Sequence, residues 1–125
     1  MRGAQIIENL VPGEDISKNI QWSAYKVPGR EGVEIYPLYN TDDTGSNGPS
    51  AALVRYQAGA QVQEHLHPGY ELIYVLEGVL ENDEGSQYPG TLQVCPPGST
   101  HALGSEQGCT FLVVWEQPVE LVTSH

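Results

Sequence analysis

The sequence predicts an all-β sandwich or barrel. Three observations lead there. Short apolar stretches with period-two alternation recur from residue 51 onward. Gly and Pro, 14 and 9 residues, cut them apart at short intervals. No stretch holds an apolar helical period for more than two turns. A chain of 125 residues makes one domain. At this size roughly two-thirds of the unfolded surface can be buried, enough for a core without disulfide staples.

The elements follow in order. Residues 1–30 read as an N-terminal arm and edge strand: "ENLVPGEDIS" carries a turn, and "QWSAYKVP" is a short strand broken at "VPGREG". Residues 31–120 make the barrel, and 121–125 a C-terminal tail ending in His125. "GVEIYPLYN" alternates Val33 and Ile35 against Glu34 and Tyr36, and Pro37 marks it as an edge strand. "TDDTGSNGPS" is a loop by composition. "AALVRYQ" is a strand, "AGAQ" a turn and "VQEHLH" a strand. After the turn at Pro68-Gly69, "YELIYVLEG" and "VLEND" are strands and "DEGSQ" a hairpin loop. "TLQVCP", "HALGS" and "CTFLVVWEQ" complete the series.

Composition removes several function classes. The net charge is −11, and no Lys or Arg follows Arg55. Such a chain repels nucleic acid and anionic membranes. It has few cations to grip a phosphorylated substrate; only Arg55, Lys26 and Arg30 are available. Cys95 and Cys109 make no disulfide framework and read as small buried apolar residues. With no signal peptide and no apolar run of about 18 residues, the expected location is the cytoplasm.

One stretch, "EHLHPGYELIYVLEG", carries chemistry. Alternate strand residues share a face, so His65 and His67 point the same way. Glu71 has the same parity and joins them if the chain re-enters the sheet after Pro68-Gly69. Imidazole and carboxylate suit Zn, Fe, Mn, Ni or Cu, and His101 from a neighbouring strand would complete the set. The competing reading is a solvated polar edge. Burying three such groups without an ion or partner is costly, which favours the metal site.

The spacing carries a resemblance. Gly59, five residues, His65, one, His67, three, Glu71, six and Gly78 match the first motif of the cupins at every fixed position. Gly90, five residues, Pro96, one, Gly98, two and His101 resemble the second. Where that motif usually ends in Asn, this chain has Ser105. The resemblance spans about residues 50–117 and implies a cupin jelly-roll barrel (RmlC-like, a double-stranded β-helix). It also implies metal ligands His65, His67, Glu71 and His101, with one divalent ion per chain. Fe(II) or Zn(II) is expected, with Mn and Ni as further candidates.

Within that family the flanking text resembles two kinds of protein. One is the zinc-binding cupin half of anti-sigma regulators; the other comprises small dioxygenases that cleave diketones and aromatic ketones. The chain shows no Cys-bearing helical segment before residue 50, so direct sigma-factor binding is not expected. Three neutral His, one Glu and a divalent ion leave a site of net +1, suited to an anionic oxygen ligand such as an enolate. The leading reading is a mononuclear Fe(II) dioxygenase cleaving a small enolisable carbonyl compound. Trp22, Tyr36, Tyr56, Phe111 and Trp115 are its candidate pocket walls. The diketone-cleaving type resembles a three-His site without Glu, so Glu71 departs from it. The second reading is a non-catalytic zinc module that binds a ligand or senses oxidants; the third is a metal-dependent isomerase or lyase. Tyr70, Leu72, Tyr74 and Leu76 lie opposite the Glu71 face and need cover from the arm, a partner subunit or both, so a homodimer is expected.

Overall fold

The computed structural model describes residues 3–16, 20–26 and 30–122. His125, the end of the tail and the "VPG" of the expected "VPGREG" break lie outside the described residues. The strands are β1 (Ser23–Ala24), β2 (Arg30–Tyr39), β3 (Ser50–Leu66), β4 (Glu71–Gly78), β5 (Leu80–Asn82), β6 (Gly85–Gln87), β7 (Leu92–Cys95), β8 (Thr100–Ser105), β9 (Cys109–Trp115) and β10 (Glu120–Leu121). A one-turn helix, α1 (Thr41–Thr44), links β2 to β3. The sheet is antiparallel in the order β6-β5-β8-β3-β9-β4-β7, with β2 and β10 also on β3 and β1 on β2. It curls around one interior as a cupin jelly roll. No helix among the described residues is long and apolar enough to cross a membrane.

β3 organises the barrel. Its first half, Ser50–Tyr56, pairs with β9, and its second half, Ala60–Leu66, pairs with β8. The turn expected at "AGAQ" is therefore a bend inside one continuous strand, centred on exposed residues 57–59. Even-numbered Ala52, Val54, Tyr56, Ala60 and Val62 face the interior. Then the register slips by one between Val62 and His65, and Gln63 and Glu64 are both exposed. This β-bulge puts two residues of β3 against one of β8 and reverses which face each side chain takes. The odd-numbered His65 and His67 turn inward as a result, and both are buried.

The interior core comprises Val33, Val54, Tyr56, Val62, Ile73, Val75, Leu80, Leu103, Phe111 and Val113 with their neighbours. A second cluster lies on the outer face: Ile16 from the arm covers Leu53 and Leu76, with Leu10, Ile20, Trp22, Tyr36, Tyr74 and Leu112 packed against it. The Gly13 amide also donates to the Leu76 carbonyl at 2.7 Å. The arm thus covers part of the outer face of β4. Tyr70 and Leu72, with Leu92 and Val94 of β7, remain between 40% and 58% exposed.

Two loops proved more regular than their composition implied. Asn40 caps α1 by accepting from the Asp42 amide, and Asp43 accepts from the Asn40 amide, a capping box within the "loop" 41–50. "DEGSQ" contributes β6, which pairs with β5 around the Asp83–Glu84 turn. Pro37 sits on β2 beyond the two residues that β1 pairs, Glu34 and Ile35, as an edge position allows. Ser105 donates to the Val79 carbonyl and accepts from the Gly108 amide, tying the end of β8 to the β4–β5 junction.

Gly78 closes that junction. Its φ is +72°, and a Cβ there would press on the Gly108 carbonyl oxygen and lie 2.7 Å from Cys109 Cα. Gly59 has a similar φ of +85° but nothing within 4 Å. Gly78→Ala is expected to cost on the order of 3 kcal/mol, combining backbone strain and overpacking. Gly59→Ala should cost about 1 kcal/mol, from the backbone alone. Urea melts of the two variants measure this; equal midpoints would refute it.

Candidate metal centre

Four side chains from three strands meet at one point. β3 supplies His65, β4 supplies Glu71, β8 supplies His101, and His67 follows the end of β3. His65 and His101 are direct cross-strand partners, as are Glu71 and Trp115. The ligand-type atoms of His65, His67, Glu71 and His101 all lie within 4.8 Å of one another. His65 and His67 are 1% exposed, Glu71 2% and His101 6%, so water can satisfy almost none of them. The three imidazoles stand at 82–88° to one another with centroids 4.4–5.1 Å apart, edges converging rather than stacked.

The outward nitrogens fix the tautomers. His65 Nδ1 lies 3.2 Å from the Gln63 carbonyl oxygen, which can only accept, so Nδ1 carries the proton. Ser99 Oγ donates to the Pro96 carbonyl at 2.6 Å, leaving its lone pairs to accept from His67 Nδ1 at 2.9 Å. Both rings therefore present a bare Nε2 to the centre, the arrangement that outer hydrogen bonds give to metal-binding histidines. His101 Nδ1 lies 3.8 Å from Cys95 Sγ.

At the centre, His101 Nε2 is 3.0 Å from His65 Nε2 and 3.2 Å from Glu71 Oε1, and His67 Nε2 is 3.1 Å from Glu71 Oε1. These atoms are close but too short of protons to satisfy one another. His67 Nε2 and Glu71 Oε1 are buried without an aligned hydrogen-bond partner. Lone pairs and a carboxylate facing one another in a dry interior need a cation. The donor set fits a divalent ion, and the cluster can bind one; nitrogen and oxygen donors of this kind serve Fe, Zn, Mn and Ni alike.

Electrostatics agree. Burial alone would raise the Glu71 pKa; in the metal-free cluster, any proton taken up by His101 or His67 faces the carboxylate, and that attraction outweighs burial and holds the carboxyl at about 2. Burial, assisted by neighbouring His101, lowers His65 to about 4. Glu71 and His65 are thus held deprotonated at neutral pH. Burial pushes the thiol of Cys95 up to about 11, with the Glu71 charge adding to it, and burial pushes Cys109 up to about 12. Both cysteines are free and buried.

The five expected pocket walls separate into two groups. Tyr56, Phe111 and Trp115 line the interior beside His65 and Glu71. Tyr56 and Phe111 meet edge to face with centroids 5.1 Å apart, and burial raises the Tyr56 hydroxyl well above its ordinary pKa. Trp22 and Tyr36 do not belong there. Both lie in the outer cluster beneath the arm, Trp22 with the Arg55 guanidinium 5.0 Å from its ring centroid and Tyr36 accepting from Gln5 Nε2. The alternation that turns Val33 and Ile35 inward necessarily turns Tyr36 outward. Conversely, Tyr25 and Arg30 line the interior and were not expected there. Arg30 pairs with inward-facing Val62 because a register irregularity near Gly32 re-aims the start of β2. Ser99 was also missed, although its place in "CPPGSTH" two residues before His101 marks it as a positioning candidate.

A jelly roll with a buried His/Glu cluster defines a metal-binding cupin. The chain belongs to the family described as the ChrR cupin-like domain, which matches residues 16–119. No curated protein matches significantly. Among solved structures, the polyketide cyclase RemF from Streptomyces resistomycificus is 26% identical, with a TM-score of 0.69 over 86% of this chain and 83% of that one. An acetylacetone dioxygenase from Acinetobacter johnsonii is 16% identical, with a TM-score of 0.74 over 99% and 86%. A chain in the complex of Rhodobacter sphaeroides SigE with the anti-sigma ChrR is 22% identical, with a TM-score of 0.62. This match covers 79% of the present chain and 50% of that chain.

A pH consequence follows for the metal-free protein. His65 binds a proton near pH 6.5 when unfolded but only near 4 when folded. Between those values the unfolded state holds more protons, so stability falls as pH is lowered from about 6.5 to about 4. Glu71, moved from 4.5 to about 2, extends the loss to lower pH with the same sign. Thermal melts in chelator across pH 7 to 4 should show this decline, and His65→Gln should flatten it. A flat wild-type profile would contradict the assignment.

Proposed function

We propose that this cupin is a mononuclear Fe(II) dioxygenase acting on a small enolisable carbonyl compound. The observation that carries the reading is the buried His65, His67, Glu71 and His101 cluster against an interior walled by Tyr56, Phe111 and Trp115. His65, His67, Glu71 and His101 would hold Fe(II), which would supply Lewis-acid and redox chemistry for a carbonyl compound and O₂. The rest is the work of the chain. His65, His67 and His101 supply neutral nitrogens, and Glu71 brings one negative charge, so an anionic oxygen completes the charge balance. Tyr56, Phe111, Ile73 and Val113 keep water from the centre. Tyr56 stays protonated and serves as wall, not base. The likeness to a dioxygenase named for acetylacetone, a β-diketone, supports the substrate class.

A second reading is a redox-neutral enzyme on the same ligand class. The neighbour named a polyketide cyclase favours it, since a polyketide is also rich in enolisable carbonyls. The family match and the ChrR neighbour favour a third, non-catalytic zinc module. Sensing through thiols is disfavoured, because both cysteines are buried and held protonated.

Oxygen uptake by anaerobically iron-loaded protein, across β-diketones and hydroxyacetophenones, tests the first reading. We expect uptake in proportion to bound iron and none with His101→Ala. Turnover of a carbonyl compound by zinc-loaded protein without O₂ would replace it with the second reading. Tightly held zinc and no turnover in either form would leave the third. The homodimer is part of the same reading, since a second copy would cover Tyr70, Leu72, Leu92 and Val94. Sedimentation at micromolar concentration should give a dimer; a monomer would remove that element.

A further inference from the structure

We propose that Arg30 is the anion-recognising residue of this site, and that the ligand is an organic acid with an apolar or aromatic body. The proposal deepens the reading above by naming a second group on the substrate. A cavity of about 600 Å³ opens on the barrel, walled by Tyr25, Arg30, Ile35, Tyr39, Trp115 and Val119 among others. Three of these residues, Tyr25, Arg30 and Trp115, also line the inner void that reaches His65 and Glu71. They form the neck between the outer cavity and the metal cluster. The inner void has only about 10 Å³ free, room for about one water. The body of any larger ligand therefore rests in the outer cavity, against the neck.

The neck carries unspent polar capacity. The Arg30 guanidinium lies 5.4 Å from the Tyr25 ring centroid, and among the described residues it has no carboxylate partner. That is notable in a chain with 16 acidic residues and 5 basic ones. Arg55, by contrast, is committed to Glu34 at 2.7 Å on the outer face. Trp115 adds an indole N–H that is buried without an acceptor. One cation on an aromatic-walled cavity, with Trp115 in the same wall, matches an anionic oxygen group. An incoming carboxylate is a stronger partner for Arg30 than the Tyr25 face.

The test is calorimetry on protein loaded with redox-inert Zn(II), using three probes. Benzoylacetone is a neutral β-diketone; benzoylpyruvate adds a carboxylate; 4-phenylbutanoate keeps the carboxylate and cannot enolise across two carbonyls. Wild type should bind benzoylpyruvate at least about tenfold more tightly than benzoylacetone. Arg30→Gln should bring that ratio to within about twofold, and Arg30→Lys should restore part of it, with zinc content and melting temperature checked in both. Equal affinities in wild type, a ratio unchanged in Arg30→Gln, or no binding by any probe would overturn the proposal. Arg30-dependent binding of 4-phenylbutanoate equal to that of benzoylpyruvate would support the role of Arg30 while removing the enolate reading.

Discussion

The one-residue slip in β3 is the constraint on which the site depends. Upstream of it, even-numbered residues fill the core; downstream, odd-numbered residues do. Without the slip, Glu64 and Leu66 would face inward, and both histidines would face solvent. The cost is two exposed polar residues and a broken ladder, both affordable at a bend. Gln63 then contributes twice: it absorbs the irregularity, and its carbonyl orients His65. The backbone defect and the ring tautomer are one device.

The centre is destabilising on its own terms. Four buried donors with too few protons face each other, and the fold holds them there through pairing elsewhere: His65 against His101 across β3 and β8, Glu71 between Trp115 and Cys95 across β4, β9 and β7. This is the usual position of functional groups in a stable scaffold, where rigid strands keep together what would otherwise separate. Outer partners of modest strength, a serine hydroxyl and a main-chain carbonyl, decide which nitrogen each imidazole offers.

Much of this was legible in the sequence, for identifiable reasons. Period-two alternation and Gly/Pro punctuation located most strands, and the two spaced motifs located the four donors. What was illegible arose where periodicity breaks. The slip at Gln63–Glu64 has no compositional mark, so "VQEHLH" gave the right residues without the reversal of face that buries them. The continuity of β3 through Gly59 was hidden because a bend inside a strand and a turn between strands have the same composition. Trp22 and Tyr36 were assigned to the pocket because aromatic content says nothing about which side of a sheet a residue takes. Tyr36 could have been excluded from its own alternation. Arg30 is legible as one of the few cations but not as a pocket residue, because an irregularity near Gly32 separates its phase from that of Val33; Tyr25 faces inward because it lies opposite Val33, a pairing that composition does not show. The capping box at Asn40 and Asp43 was readable, as Asn followed three residues later by an acid, and was passed over within a polar run.

The pairing of Trp115 with Glu71 has an optical corollary. The chain has two tryptophans, and the fold sends them to opposite sides of the sheet. Trp22 lies under the arm against an arginine, while Trp115 stands in the neck beside a metal-ligand position. The two indoles thus sample different parts of one molecule: one emits from the arm and barrel seam, the other within reach of quenching by a paramagnetic ion. Replacing either with phenylalanine leaves a single tryptophan, which red-edge excitation separates from the seven tyrosines, so arm docking and occupancy of the centre become separately visible without an added label.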